Sequence, residues 1–273
     1  MKLKVSTLPV ATVRFRKVVW AYYKKNGRHD LPWRKTTDVY KILVSEVMLQ
    51  QTQVERVIPF YTKFIKKFPT AKKLAAAPLS DVLKSWQGLG YNRRAKQLKA
   101  AAQALTTQKI STVEELESLP GVGPYTARAV AAFACNEDVV FVETNIRTAV
   151  IQHFFSDRKE VSDSSIEGAL YDALPKGKAR EWYSALMDYG ASLKRSGISH
   201  NVRSTTYVKQ STFSGSLREA RGAILRELAS GGAPSTRLID LLGSERRVQM
   251  RTALRALFSE RLVKKVNENY TLG

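Results

Sequence analysis

Cysteine is nearly absent: Cys135 is the only one in 273 residues. A single thiol excludes a disulfide framework within the chain, and it excludes a four-cysteine zinc or iron–sulfur site. A reducing, cytosolic compartment is the simplest setting for such a chain. Long apolar runs are missing as well. No stretch approaches the ~18 apolar residues that span a bilayer, and Met1 to Val10 has no apolar signal-peptide core. Acidic residues are scarce, at 24 Asp and Glu against 45 Lys and Arg, a net charge of +21. With 44% hydrophobic residues, this composition fits a soluble globular protein with a polyanionic partner. Nucleic acid suits it better than a membrane surface, because no basic helix carries a separate large aromatic face.

The positive charge is denser toward the C-terminus. Residues 190–273 hold 15 basic and 6 acidic residues, a net +9, leaving +12 for the longer remainder. Between Tyr189 and Arg218 there is no Asp or Glu, while Lys194, Arg195, Arg203 and Lys209 stand among many Ser and Thr. This segment reads as a solvated linker and, compatibly, as one that tracks phosphates.

Ahead of that segment the pattern is all-helical. Stop and start signals punctuate it: Asn26-Gly27, Asp38 as a cap, Pro69, Ala77-Pro78, Gly88-Leu89-Gly90-Tyr91, the Thr112/Glu115 capping-box spacing and Pro124. Helices are expected over 12–25, 38–50, 53–67, 71–76, 80–87, 92–105, 112–118, 124–134, 143–155, 164–174 and 180–193. No strand-like alternation of useful length occurs before residue 205. The tail differs. Helices over 216–229, 234–242 and 244–259 precede two short strand-like runs that flank Asn267-Glu268-Asn269, which is winged-helix order. The predicted organisation is therefore a main domain over 1–195, a basic Ser/Thr-rich linker over 196–214 and a winged-helix-like domain over 215–273.

Three motifs carry chemistry. Leu119-Pro120-Gly121-Val122-Gly123 lies between two helices. Its glycines let the backbone turn tightly and approach another molecule, and the next helix begins at once, so free N–H groups and the positive dipole end face one spot. In a chain this basic, a helix-hairpin-helix that grips a DNA backbone is favoured over an ordinary turn. About 20 residues downstream, Glu143 follows the apolar run Val139 to Val142 and starts a helix. Such a carboxylate is usually an N-cap, and after a buried run it can also emerge in a cleft. The third motif is Ser45 to Gln53, in which Glu46 sits inside an apolar helix, where a carboxyl group tends to be hard to ionise. A core-bonded Glu is the competing reading.

Together these residues resemble the helix-hairpin-helix (HhH-GPD) DNA glycosylases of the endonuclease III and MutY superfamily, and most of all the MutY-type adenine glycosylases. The similarity is carried by Leu31-Pro32-Trp33-Arg34, Ser45 to Gln53, Gly88 to Tyr91, Leu119 to Gly123 and Met187-Asp188-Tyr189-Gly190, in family order across residues 13–193. It implies an all-α, two-lobed fold and an enzyme that flips a mispaired base from double-stranded DNA and hydrolyses its N-glycosidic bond. That bond breaks through an oxocarbenium-like sugar, so the site needs a proton donor and an anion. By resemblance Glu46 is the acid and Glu143 the anion that stabilises the sugar cation. Asn145, Trp33 and Arg34 line the base pocket, and Gln50, Gln51, Tyr91 and Asn92 form the wedge that fills the stack. Leu119, Gly121, Val122, Gly123 and Thr126 form the phosphate-binding hairpin, with the N–H groups of Val122, Gly123 and Tyr125 on the phosphate and a monovalent cation as its companion. A monomer, cytoplasmic and nucleoid-associated, with no membrane partner, is the implied setting.

The chain departs from this family in four ways. Where four cysteines usually follow the Met-Asp-x-Gly segment, it has Ala191-Ser192-Leu193-Lys194-Arg195-Ser196-Gly197, so the cluster is expected to be absent. Tyr125 stands where endonuclease III has its lyase lysine, so no Schiff base forms and a monofunctional enzyme is expected. Glu143 replaces the family's Asp; the extra methylene moves the charge by roughly 1 Å, a displacement that can cost about a hundredfold in rate. The tail does not resemble the domain by which MutY reads 8-oxoguanine, and Asn92 stands where a second Tyr is common. Alternatives therefore stay open. Tyr125 resembles the thymine/uracil–G mismatch glycosylases, and a catalytically weak DNA-binding protein could share the fold. Smaller signals take plain readings: His153 a packed helix residue, Cys135 a small core residue, and Tyr22, Tyr23, Phe60, Tyr61 and Phe64 core aromatics.

Overall fold

The computed structural model describes residues 9–108, 110–204 and 212–273. In chain order its helices are α1 (Val10–Asn26), α2 (Val39–Leu49), α3 (Val54–Lys67), α4 (Ala71–Ala76), α5 (Leu79–Trp86), α6 (Arg93–Thr107), α7 (Val113–Glu117), α8 (Pro124–Val130), α9 (Thr144–Phe154), α10 (Asp163–Ala173), α11 (Ala179–Arg195), α12 (Leu217–Ser230), α13 (Ser235–Asp240) and α14 (Arg247–Ser259). The only strands among the described residues are β1 (Ala233–Pro234), β2 (Val263–Val266) and β3 (Asn269–Leu272).

Local chemistry sets these boundaries. Asp38 accepts from the Lys41 N–H at 3.1 Å and starts α2. Thr112 and Glu115 form the full capping box of α7. Ser162 and Ser216 cap α10 and α12 with their hydroxyls, which accept from the N–H groups of Ser165 and Glu219.

The chain divides into two compact units, one of residues 1–42 and 124–209, the other of 43–123 and 210–273. In the first, Phe15, Val19 and Tyr23 recur at four-residue spacing on α1 and turn into a core with Ile146, Val150, Leu170, Trp182 and Tyr183. Phe141 stacks on Tyr183 with ring centroids 4.0 Å apart. In the second, Leu43, Met48, Val57, Phe64, Leu74, Trp86 and Leu98 are buried.

The C-terminal segment belongs to the second unit. It runs α12, β1, α13, α14, β2, β3, with antiparallel strands in the order β1-β3-β2. This is the winged-helix order expected from the sequence, plus β1, which two residues including a proline do not announce. Asn267, with φ +53°, and Glu268 make the tight turn of the wing. Gln87 donates to the Leu225 carbonyl at 3.2 Å, and the Lys96 ammonium to that of Glu260 at 2.5 Å, tying the segment to α5 and α6. Of the expected linker, residues 205–211 lie outside the described residues.

Three expectations are corrected. The helix after Pro124 does not stay regular to Ala134: it widens into a π-helical turn over Ala131–Cys135, closed by Asn136 at φ +59°. Cys135 is exposed rather than core, because it sits at that reversal. In the run Val139 to Val142 only Phe141 is fully buried. No helix among the described residues is long and apolar enough to cross a membrane.

Candidate active site

Glu46 lies on α2 between Ser45 and Val47 and is 6% exposed. Leu43, Val44, Val47 and Met48 on the same helix are buried with it, as is the polar Ser45. The helix stops at Leu49, and the chain turns outward through Gln50 and Gln51, the latter in the left-handed region at φ +55°.

That turn is held by a residue the sequence reading missed. The Arg94 guanidinium donates to the carbonyls of Val47 (2.7 Å), Met48 (3.3 Å) and Gln50 (2.7 Å), capping the end of α2. It also donates to Leu89 and Gly90, both at 3.2 Å. One side chain thus joins the Gln50–Gln51 turn to the Gly88–Tyr91 loop. Burial pulls its pKa down to about 10, so it remains a cation at neutral pH. The available signal was its place in the first turn of α6, where a cation opposes the helix dipole and so needs another purpose.

The Gly88–Tyr91 loop follows from its glycines. Gly88 and Gly90 have φ of +97° and +71°, and a Cβ on Gly88 would lie 2.7 Å from the Phe60 ring. Arg56 hydrogen-bonds to the Gly88 carbonyl and Trp86 to that of Gly90. Tyr91 itself is left-handed at φ +46°. Gln50, Gln51, Tyr91 and Asn92, the four expected wedge residues, line one cavity of about 330 Å³.

At the hairpin, Leu119 and Val122 are buried while Gly121 and Gly123 face solvent. The Val122 N–H donates to the Leu119 carbonyl at 3.0 Å and closes the turn, so it is engaged within the protein rather than offered outward. Gly121 needs to be glycine twice over: φ is +77°, and a Cβ would lie 2.6 Å from that of Gln97. A Cβ on Gly123 would meet nothing. Pro124 then opens α8, where Thr126 is buried and Tyr125 is half-buried with its ring 5.7 Å from Phe141.

In the first unit, Glu143 is the N-cap of α9. Its carboxylate accepts from the Asn145 N–H at 2.7 Å, the Thr144 hydroxyl at 2.6 Å and the Asn145 amide at 3.2 Å. The Lys194 ammonium reaches Thr144 at 2.8 Å. Burial lowers the Lys194 pKa, and the nearby Glu143 charge opposes that shift. Gly190 explains why α11 can lie against this cap: a Cβ there would sit 2.0 Å from the Asn145 carbonyl oxygen. Two residues earlier on the same helix, Asp188 accepts from the Arg28 guanidinium at 2.6 Å and from Arg34 at 2.7 and 3.0 Å. Burial alone would raise the Asp188 pKa; the bonds and charges of Arg34 and Arg28 outweigh it and hold the pKa below the ordinary value. Arg34 also donates to the carbonyls of Ser184 and Arg28, so its guanidinium is committed to the protein interior beside the buried Trp33.

Past α11, the residues do not fit an iron–sulfur cluster, since the sequence offers one thiol. Protein contacts tie this stretch instead. Arg203 donates to the carbonyls of Phe155 and Ser156, Val161 pairs with Ser204, and Asp163 joins Arg147 to Ser204. His153 is packed, with Phe15 at 5.0 Å and the Tyr189 hydroxyl at 2.7 Å.

Residues 44–175 match the family model of HhH-GPD superfamily base excision DNA repair proteins. The adenine DNA glycosylase of Mycolicibacterium smegmatis is 37% identical over 262 residues, covering 87% of this chain and 89% of that protein. The chain belongs to the adenine DNA glycosylase family. Among solved structures, a thermostable thymine-DNA glycosylase matches with a TM-score of 0.56 and 27% identity, over 66% of this chain and 88% of that one. A trapped endonuclease III–DNA covalent intermediate shares the fold at a TM-score of 0.54 and 20% identity, over 68% and 86%. As a member of this family the protein is a base-excision DNA glycosylase, and the bond it hydrolyses is an N-glycosyl bond of DNA.

Proposed function

We propose that the chain excises adenine opposite 8-oxoguanine or G in duplex DNA, as a monofunctional enzyme and a nucleoid-associated monomer. The observation that carries this is Glu46, a buried carboxyl group inside the Ser45–Gln53 string, in a chain 37% identical to an adenine DNA glycosylase. With the base flipped out, the Glu46 carboxyl group gives its proton to the adenine ring, and the N-glycosidic electrons leave with the base. The family resemblance gives the Glu143 carboxylate, which its cap contacts hold in one orientation, the role of stabilising the sugar cation, and water completes the hydrolysis. Tyr125 supplies no amine, so no covalent imine forms and the strand stays intact until alkali is added.

The remaining assignments support DNA handling. Gln50, Gln51, Tyr91 and Asn92 fill the stack left by the flipped base. Gly123 and Tyr125 offer N–H groups to a phosphate, over a glycine that leaves room for it. A monovalent cation at the hairpin turn would use the second lone pair that the Leu119 carbonyl keeps after accepting from Val122, and would add positive charge beside the phosphate. The main domain, 1–195, works without an iron–sulfur cluster, with the 215–273 segment appended through the linker.

A second substrate, thymine or uracil opposite G, is favoured by Tyr125 and by the 27% identity to the thymine-DNA glycosylase. A single-turnover assay of wild type and Glu46→Gln on A:8-oxoguanine, A:G, T:G and U:G duplexes, with and without alkali, separates the two. Adenine release visible only after alkali, and lost in Glu46→Gln, is expected. Cleavage confined to T:G or U:G would replace adenine with the second substrate.

A further inference from the structure

Tyr91 is an aromatic residue held in the left-handed region, a conformation worth ~1–3 kcal/mol of strain that only its surroundings can maintain. Two guanidinium groups provide them. Arg94 lies 5.4 Å from the ring centroid and Arg218 lies 5.3 Å from it. Arg218 also donates to the Tyr91 hydroxyl at 2.8 Å. Arg94 and Tyr91 are three residues apart, but Arg218 comes from the first turn of α12, 127 positions away.

The position of Arg218 is itself fixed. Its second terminal nitrogen donates to the Thr212 carbonyl at 3.2 Å. The helix that bears it is capped by Ser216 and riveted to α14 by the two-bond pair of Arg221 with Glu260, at 2.8 and 2.6 Å. Arg246 with Glu219 adds a further tie at 2.8 Å. The result is a wall: Gln51, Tyr91, Asn92 and Arg218 line both the 330 Å³ cavity and a neighbouring one of about 600 Å³. Two of these four, Gln51 and Tyr91, are in strained left-handed conformations.

We propose that Arg218 is a positioning residue that holds Tyr91 in this wall, so that the winged-helix segment sets how strictly the enzyme discriminates the partner base. This rests on the reading that the Gln50–Tyr91 edge enters DNA. The chemistry needs arginine. A planar fork can lie on a ring and donate to its hydroxyl at once, and a lysine ammonium cannot do both from one position.

The test uses the full chain as wild type, Arg218→Ala, Arg218→Lys, Tyr91→Phe and the Arg218→Ala/Tyr91→Phe double variant. One readout is 2-aminopurine fluorescence in the partner strand beside the mispair, which rises when the wedge unstacks it. The other is the ratio of single-turnover rates for A opposite 8-oxoguanine and opposite G, with a thermal melt for each variant. Arg218→Ala is expected to lower the fluorescence rise and to shrink the ratio by about tenfold, the worth of one charge-assisted bond and ring contact. Arg218→Lys should not restore either, and Tyr91→Phe should add little once Arg218 is gone. An unchanged ratio and fluorescence in Arg218→Ala, rescue by lysine, or fully additive effects would overturn the proposal while leaving the glycosylase reading intact. A wild type that excises adenine without any fluorescence rise would overturn it by removing the wedge. A wild type inactive on both adenine duplexes would instead fail the substrate reading, and fluorescence alone would then decide Arg218.

Discussion

In the first unit, Asp188 gathers the guanidinium groups of Arg28 and Arg34 around one carboxylate that is 1% exposed. In the second, the buried Arg94 meets five main-chain carbonyls. Both anchor the loops that carry candidate site residues. They differ in what balances the buried charge, an anion in one and backbone dipoles in the other. Acid separates them. The Asp188 pKa is lower in the folded protein than in the unfolded chain, so its contribution is fully present above about pH 4 and is lost as pH falls through the folded value. The Arg94 cage contains no group that protonates in this range. A charge held by dipoles is thus indifferent to acid, whereas one held by a counter-ion is not.

The largest expected effect is Arg94→Met, which strands buried carbonyls at the end of α2 and in the Gly88–Tyr91 loop. It should cost ~3–5 kcal/mol in urea unfolding, by a similar amount at pH 4 and pH 7. A loss that depends on pH across that interval would break the contrast. Asp188→Asn should follow at ~3 kcal/mol, because it leaves two guanidinium groups without their anion. Thermal melts from pH 7 to pH 3 should show the gap to wild type closing as the pH falls; a gap that stays constant would mean that shape, not charge, is what Asp188 contributes. Gly190→Ala should cost ~1–3 kcal/mol by pressing on the Asn145 carbonyl. It should also slow base release by ten- to a hundredfold, because it shifts the Glu143 cap by a fraction of an ångström or more. Normal single-turnover rates in that variant would detach Glu143 from the chemistry. Gly123→Ala is the smallest in stability, within ~0.5 kcal/mol, since nothing in the protein opposes the added methyl. Its effect should appear only in DNA affinity, measured by titration against a duplex; unchanged affinity would remove Gly123 from the phosphate site.

Much of this was legible because it is local. Asp38, Thr112 with Glu115, and Pro124 are start signals that act within four residues, and each starts a helix at or next to the expected position. Glu46 is buried because its neighbours along one helix are apolar, which periodicity reveals. The hairpin glycines could be placed because turn geometry restricts residue type. The unforeseen features depend on distant partners. Arg34 reads as a pocket residue until Asp188, 154 positions later, takes its guanidinium. Arg94 and Arg218 look like ordinary surface cations until a carbonyl cage and a tyrosine ring meet them. Cys135 looks like a small core residue until a π-helical turn rotates it outward. Burial follows from sequence patterning, but the pairing of charges across long stretches of chain does not.

The three-stranded sheet ends on β1 and β2, and each of these borders carries its own block against another strand. β1 is two residues long, and Pro234 has no N–H to lend to a neighbour. β2 presents Lys264 and Lys265, both exposed, so an approaching copy would face like charge before any ladder could form. Growth of this sheet from one molecule to the next is disfavoured at both margins, which lets so basic a protein crowd along a polyanion without zipping to its neighbours.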